Sequence, residues 1–295
     1  LQRQVHSLIL SDALAAAKSV TKSAIRGLPL TTRRRILYAF NQRKWLHVNP
    51  PRTFNEKVNW RIINDRRPLI GSTCDKLKAK EYATSLGVQA PHTIWSGVNL
   101  SELESRDLPD HWVLKPNHRS GIVHLGQGRP DIAELRRLTQ GWLDEKGWSD
   151  LGEWAYSQAR RCYVMERRLG QPGQDLPDYK FFVFAGRVEM VQVDTDRHTN
   201  HRRRLYTRDW SPLDVVLNYP LGPIQPQPRT FGAMLTAAEK LGDGFDDFIR
   251  VDLYEDGDTV WFGELTPYPG GGKERFSSRD LDLHLGELWA LPQIR

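Results

Sequence analysis

The sequence predicts an α+β fold, and three observations point there. Two segments read as β-hairpins, with β-branched and aromatic runs flanking a short turn: residues 180–193 around Ala185-Gly186, and residues 248–266 around Glu255-Asp-Gly-Asp258. Strong helix-forming stretches stand apart from them, at residues 8–17 and 230–241. Between these, short strand and helix patterns alternate. Helices mixed with hairpins favour α+β over a doubly wound parallel sheet.

Taken in order, the first 70 or so residues read as helical and basic. Residues 31–40 carry Arg33, Arg34 and Arg35 in succession. That run suits phosphate or lipid headgroups, and the plainer reading is a solvated helix face. Thr53-Phe-Asn-Glu56 fits a capping box that opens a helix toward Asn64. A further helix covers residues 76–86 and stops at Gly87, a suitable C-cap. Trp112-Val-Leu-Lys115 is a strand running into the loop 116–122, residues 132–146 read as a helix, and 162–166 as a buried strand. Residues 220–228, rich in proline, form a loop. No repeat or low-complexity tract interrupts the chain.

Composition narrows the class. With 26% charged and 39% hydrophobic residues among 295, the chain is globular and can bury a large core or build lobes around a cleft. Lys plus Arg exceed Asp plus Glu by 42 to 36, a net +6 that suits anionic small molecules, nucleic acid or an acidic membrane surface without choosing among them. Cys74 and Cys162 make neither a disulfide framework nor a zinc site, so a reducing compartment is expected. With no apolar run of spanning length and no signal peptide, the expected location is the cytoplasm.

Several residues could carry chemistry. Asp252 and Glu264 sit among apolar residues on the two arms of the last hairpin, where an ionised acid is costly unless paired. A turn spanning Asp256 to Asp258 would pair Glu255 with Thr259, set Asp252 opposite Phe262 and leave Glu264 one diagonal away on the same face. Both acids could then grip one cation; a turn one residue shorter would put them on opposite faces. The competing reading is a hairpin with polar residues facing water. Lys115 ends a strand before Ser120 and Gly121, a lysine-plus-small-loop arrangement able to cradle phosphate, although a solvated lysine fits too. Lys76 is ambiguous in the same way, and Glu166, before Arg167 and Arg168, is explained equally by a salt bridge. Residues 194–204 are dense in polar groups. The arginines there suit a carboxylate or phosphate, and a solvated basic loop fits equally.

Together these pieces resemble the ATP-grasp enzymes, and more narrowly the family named after the teichuronopeptide biosynthesis protein TupA. The resemblance is carried by Phe54-Asn-Glu-Lys-Val-Asn-Trp60, Asp75-Lys76, Val113-Leu-Lys-Pro-Asn-His118, Leu176-Pro-Asp-Tyr-Lys-Phe-Phe182, Gln192-Val-Asp-Thr-Asp-Arg197 with Thr199-Asn-His201, Arg250-Val-Asp-Leu-Tyr254 and Gly263-Glu-Leu-Thr266. It covers residues 50–292, and order and spacing make it specific.

The resemblance implies an ATP-grasp fold, with a helical region at 1–70 and a catalytic region at 71–295 whose lobes, 110–170 and 171–295, enclose the nucleotide. It implies that Lys76 and Lys115 hold ATP phosphates beneath a loop including Ser120 and Gly121. Met165, Glu166, Arg167 and Leu169 would line the adenine hinge, and Asp178 would reach the ribose. Lys180 and Arg250 would serve the transferred phosphoryl group, with Asp252, Glu264 and Thr266 on magnesium. Thr266 stands where many relatives have asparagine, and Arg119 where family members tend to have glycine. Arg197, His198, Asn200, His201 and Arg202 would dock an anionic substrate.

The implied activity is ATP-dependent ligation of a carboxylate to an amine through an acyl phosphate, with ATP and Mg2+ as cofactors. The family's association with surface polysaccharide suggests a uronic acid, in a glycan or nucleotide sugar, joined to an amino acid or peptide. No nucleic-acid partner is expected; peripheral membrane contact is consistent with the basic segments. A sugar kinase on the same fold, or a polyanion-binding protein without turnover, are the alternatives.

Overall fold

The computed structural model describes residues 25–144, 151–171, 176–196 and 199–293; the helix expected at 8–17 lies outside them. Two antiparallel sheets organise the chain. The smaller contains β1 (Thr93–Gly97), β2 (His111–Pro116), β3 (His124–Gln127) and β4 (Tyr163–Arg167) in the order β1-β4-β2-β3. The larger contains β5 (Asp178–Phe184), β6 (Arg187–Thr195), β7 (Arg202–Thr207), β8 (Pro212–Leu213), β9 (Phe248–Asp256) and β10 (Thr259–Thr266) in the order β10-β9-β5-β6-β7-β8.

Each sheet has its own core. Trp95, Trp112, Leu114 and Met165 pack under the smaller one with Leu135 of helix α5 (Ile132–Leu138). That helix is shorter than the sequence pattern suggests: Thr139 caps it, and Gly141 follows with φ 75. The larger core joins Phe181, Val191 and Val251 of the sheet to Phe54, Val58 and Ile62 of α2 (Phe54–Asn64), Met234 and Leu241 of α6 (Phe231–Gly242), and Leu285 of α7 (Arg279–Leu288). The N-terminal helices therefore share the larger sheet's core rather than standing apart, and the smaller lobe begins at Thr93, well before residue 110. Among the described residues no helix is long and apolar enough to cross a membrane.

Local chemistry explains the helix starts. Thr53 accepts from Glu56 N while Glu56 accepts from Thr53 N, the reciprocal box expected from the sequence. Asp75 caps α4 (Lys76–Ser85), accepting from Leu77 N and Lys78 N. The first described helix, α1 (Leu30–Gln42), corrects the reading of the arginine run as a solvated face. Arg34 is buried: its guanidinium donates to Asn59 Oδ1 and to the carbonyls of Leu151 and Gly271, so a whole side chain of charge is drawn into the interior.

The β9–β10 hairpin differs from the expected register, in a way that preserves the outcome. Asp256 pairs with Thr259, so the turn is Gly257-Asp258, one residue shorter than expected. In that register Glu264 would fall on the opposite face from Asp252. A bulge between Phe262 and Glu264 absorbs one residue, Gly263, and the pairing resumes with Glu264 directly opposite Asp252. Only glycine fits there, because a Cβ would lie 2.9 Å from Asp252 O and 2.8 Å from the Tyr254 ring.

Candidate active site

One face of the larger sheet carries a polar row: Glu264 opposite Asp252, Asp252 opposite Lys180, and Lys180 opposite Gln192. Asp252 is buried and accepts three hydrogen bonds from two cationic side chains. Arg250 Nε reaches Oδ1 at 2.7 Å, Arg250 Nη2 reaches Oδ2 at 2.7 Å, and Lys180 Nζ reaches Oδ2 at 2.9 Å. Burial pushes the Asp252 carboxyl up, but Arg250 and Lys180 outweigh it and hold it below the usual range. Lys180 shows the mirror image: burial pulls it down, and Asp178 and Asp252 lift it higher. Arg250 is likewise raised by Asp252 against the pull of burial.

Glu264 is different. Its side chain is 40% exposed and touches the network only through Arg250 at 3.5 Å and the Thr266 hydroxyl, which donates at 3.2 Å. Thr266 Oγ1 also accepts from Arg250 Nη2 at 3.1 Å, so its hydroxyl bridges Arg250 and Glu264. The oxygen that opens to the cleft is therefore a glutamate oxygen, backed by a buried aspartate.

Lysines join the two lobes: Lys76 and Lys80 stand on α4, whose Ala79 and Ala83 pack in the larger core, while Lys115 lies on β2 of the smaller lobe. Lys76, at the start of α4, donates to the carbonyls of Asn117 at 3.3 Å and Arg119 at 2.5 Å, pinning the base of the loop after β2. Burial lowers it; Glu264 pulls it back up and Lys115 pushes it further down. Through its bonds to the Asn117 and Arg119 carbonyls, Lys76 ties a helix of the larger core to the smaller lobe's β2 loop. Lys115 pairs with Glu166 at 2.6 Å and Lys80 pairs with the same carboxylate at 3.0 Å. Glu166 is buried between them; burial would raise its carboxyl, and the two lysines depress it. It is thus engaged by lysines rather than open toward a base.

The remaining candidates divide. Ser120 and Gly121 are exposed, Gly121 with φ 72, as a loop that covers a ligand would be. Arg119 points away, donating to the carbonyls of Gly141 at 2.9 Å and Trp142 at 3.3 Å, and so anchors that loop to the turn after α5. Met165 packs its side chain into the smaller core, on a strand paired with β1 on one side and β2 on the other. The Arg167 amide bonds to His92 O at 3.1 Å, and Leu169 is exposed to intermediate degree beyond it. Asp178 is buried beside Lys180 rather than open toward a ribose. Arg197 and His198 lie outside the described residues. Asn200 is exposed, His201 stacks on Tyr219 with ring centroids 3.8 Å apart, and Arg202 donates to Leu221 O at 3.2 Å.

Further residues take places that the sequence alone does not show, although Arg203 belongs to the arginines expected to meet an anion. Arg203 is turned inward between Asp194, at 2.6 Å, and Glu274, at 2.8 Å. Lys80 follows Lys76 by one helical turn and so shares its face, a spacing legible in the sequence. Tyr156 bonds to Ser120 and feels Glu264, and burial pushes its hydroxyl well up. Gly270, Gly271 and Gly272 are consecutive left-handed residues, with φ of 54, 58 and 62. A Cβ on Gly272 would come within 2.4 Å of Asn59 Nδ2, and one on Gly271 within 2.7 Å of Glu153 Oε1.

The Asp194–Arg203 pair predicts an acid-side signature. Burial pushes the Asp194 carboxyl up, but Arg203 holds it down at about 2, against 3.8 for the free group. A folded value below the unfolded one means stability that is present above about pH 4 and lost as pH falls through about 2. Urea denaturation should lose about 2 kcal/mol from this group across that window, and Asp194→Asn should flatten that slope. Equal slopes in both proteins would show that the pair does not govern acid stability.

The model of the family described as TupA-like ATPgrasp matches residues 56–290. Among curated proteins none matches. Solved structures similar in part include D-alanine–D-alanine ligase from Bacillus anthracis complexed with ATP, at 14% identity and TM-score 0.40, covering 74% of this chain and 57% of that one. D-alanine–D-alanine ligase from Helicobacter pylori shows 13% identity and TM-score 0.42, over 76% of this chain and 60% of that one. L-amino acid ligase from Bacillus licheniformis shows 18% identity and TM-score 0.46, over 67% and 43%. The chain spans about three-fifths or less of the length of these proteins.

Proposed function

The chain belongs to the TupA-like ATP-grasp family, and on that premise we propose that it is an ATP-dependent carboxylate–amine ligase. The observation that carries the reading is the junction of the two lobes at α4: Lys76 bonds to the loop after β2, Lys115 lies on that strand, and the larger lobe's hairpin carries the Glu264 carboxylate, 40% exposed and backed by buried Asp252. In this reading the nucleotide lies between the two sheets, its phosphates under the Ser120–Gly121 loop and its base against the backbone at Met165, Glu166, Arg167 and Leu169. The N-terminal helices buttress the larger lobe.

Magnesium fits the donor set. Among the described residues no group of three or more His, Cys, Asp and Glu side chains converges. Magnesium, however, needs only one or two carboxylates when phosphate oxygens and water complete its octahedron. Asp252 and Glu264 would hold it, Thr266 steadying Glu264, and when bound it would neutralise charge on the transferred phosphoryl group. The chain's own groups then act by position. Arg250 and Lys180, fixed on Asp252, present positive charge to the phosphoryl group and the acyl phosphate; Lys76 and Lys115 hold the leaving phosphates. A carboxylate oxygen attacks the γ-phosphorus and ADP leaves. An amine then displaces phosphate from the acyl carbon, giving an amide. No protein nucleophile is needed.

The substrate class extends the proposal: a uronic acid of a surface polysaccharide or its precursor as carboxylate, with an amino acid or peptide as amine. The basic positions Arg202 and His201, with Asn200 beside them, border the larger sheet where such an anion would enter.

The deciding test is thermal stability with and without ATP and magnesium, in wild type and Glu264→Ala. A ligand at about a hundred times its dissociation constant adds roughly 2.7 kcal/mol. We expect a magnesium-dependent rise that the variant loses; no rise in wild type at millimolar ATP sinks the reading. Hydroxylamine trapping then separates reactions, since an acyl phosphate yields a hydroxamate, whereas a stable phosphate ester would mark a kinase instead.

A further inference from the structure

Helix α1 presents two faces of opposite character. Its inner face, with Arg34, Tyr38 and Gln42, is buried, and Gln42 Nε2 donates to the carbonyls of Lys273 at 3.1 Å and Glu274 at 3.0 Å. On the outer face Phe40 is 73% exposed, the highest value of any large apolar side chain among the described residues. Trp45, just after the helix, is 59% exposed, and Leu28, just before it, 40%. No other aromatic side chain belongs to that exposed apolar set. They are spread along the outer side of α1 rather than packed on one another: Arg43 adopts a left-handed φ of 54 as the C-cap, which turns the chain back and brings Trp45 under the Arg35 guanidinium at 6.0 Å.

Positive charge accompanies these apolar side chains along the segment, Arg34 alone being turned to the interior among the charges of α1 and its C-cap turn. Residues 25–55 contain seven Lys and Arg and no Asp or Glu, so this one segment carries more positive charge than the net +6 of the whole chain. Arg43 and Lys44 are exposed between Phe40 and Trp45. Aromatic rings standing out among basic side chains match the interface of an acidic bilayer, where rings enter the headgroup boundary and cations meet phosphate. A nucleic-acid duplex would use the cations and leave Phe40 and Leu28 in water.

We infer that the outer face of α1 with the following turn docks the protein on acidic phospholipid membranes, through Leu28, Phe40 and Trp45 as inserted apolar groups and Arg35, Arg43 and Lys44 as headgroup contacts. The inference is independent of the reaction. It adds one constraint to it: the buried face of the same helix holds the carbonyls of Gly271, Lys273 and Glu274, so docking would set the cleft at a fixed height above the lipid.

The test is cosedimentation of the full chain with vesicles. We expect binding to mixed phosphatidylglycerol–phosphatidylcholine vesicles, weakened by salt, and little binding to phosphatidylcholine alone. Arg35→Gln/Arg43→Gln/Lys44→Gln should weaken it about a hundredfold, and Phe40→Ser/Trp45→Ser roughly tenfold. Because Phe40 and Trp45 are exposed, the second variant should keep the wild-type melting temperature, which guards against misfolding as the cause. Absence of binding to acidic vesicles at low salt overturns the proposal. So does binding that survives both variants, which would place the contact elsewhere. Loss with the charge variant alone, alongside equal binding to heparin, would reduce the face to a general polyanion site and overturn it too.

Discussion

Asp252→Ala is expected to be the most damaging single change in the molecule, because it removes the partner of two buried cations at once. Arg250 makes two hydrogen bonds to this carboxylate and Lys180 one, all between 2.7 and 2.9 Å. Breaking a buried ion pair from one side leaves the other charge uncompensated, at a cost of about 3–5 kcal/mol. The same carboxylate is the proposed magnesium ligand, so nucleotide-dependent stabilisation should vanish together with stability. Glu264→Gln separates the two effects: at 40% exposure its removal should shift stability by no more than about 0.5 kcal/mol, yet it should abolish the magnesium-dependent response. Guanidinium denaturation checks the first statement and a nucleotide melting series the second. If Asp252→Ala folds as stably as wild type, the buried network is not the support described here.

The second large effect is expected far from the cleft, at Arg61 on α2. This side chain is fully buried, with Nη2 on Asp247 at 2.5 Å, Nη1 on the carbonyls of Phe248 at 2.8 Å and Pro267 at 3.2 Å, and its guanidinium 4.2 Å from the Trp289 ring centroid. Arg61 therefore ties the helix to both ends of the hairpin that carries Asp252 and Glu264. Arg61→Leu keeps apolar bulk but leaves two carbonyls without a donor and Asp247 with Arg67 alone at 2.6 Å. The expected loss is about 3–5 kcal/mol, a large part of the ~5–15 kcal/mol that holds an ordinary domain folded. Arg61→Leu/Asp247→Asn should recover part of it, since the acid then carries no charge to be paired. A loss below about 1 kcal/mol in the single variant would show that the aromatic packing alone secures this junction.

How far such features can be read from the sequence depends on their range. The Thr53–Glu56 box, the Ala185-Gly186 turn and the strand at Trp112–Lys115 are local: a few residues and their backbone preferences determine them, and all three are present. The helix read over 132–146 overshot because Thr139 and Gly141 end it, a local stop that periodicity masked. Arg34 and Arg61 could not be read as interior groups, because their hydrogen-bond partners lie 25 or more and 186 or more residues away; Arg203 has Asp194 nine residues away across a strand pair, but its second acid, Glu274, is 71 away. Charge patterning assigns such arginines to solvent unless the distant acid or carbonyl is known. Glu166 shows the same limit: its neighbours in sequence are Arg167 and Arg168, but its partners are Lys80 and Lys115. Asp252 and Glu264 were legible as a pair, yet by a different register from the one that joins them.

The single-residue bulge at Gly263 makes the hairpin a parity device. Counted from the turn, Glu264 would fall on the other side of the ribbon from Asp252, and the bulge reverses that parity once. Residues inserted at Gly257-Asp258 would lengthen the loop and leave the pairing inward of Asp256–Thr259 unchanged, because the buried side chains of Val251, Leu253, Phe262 and Leu265 hold it. The tip of this hairpin can therefore carry grafted sequence, while the side chain that reaches the network is chosen at Gly263.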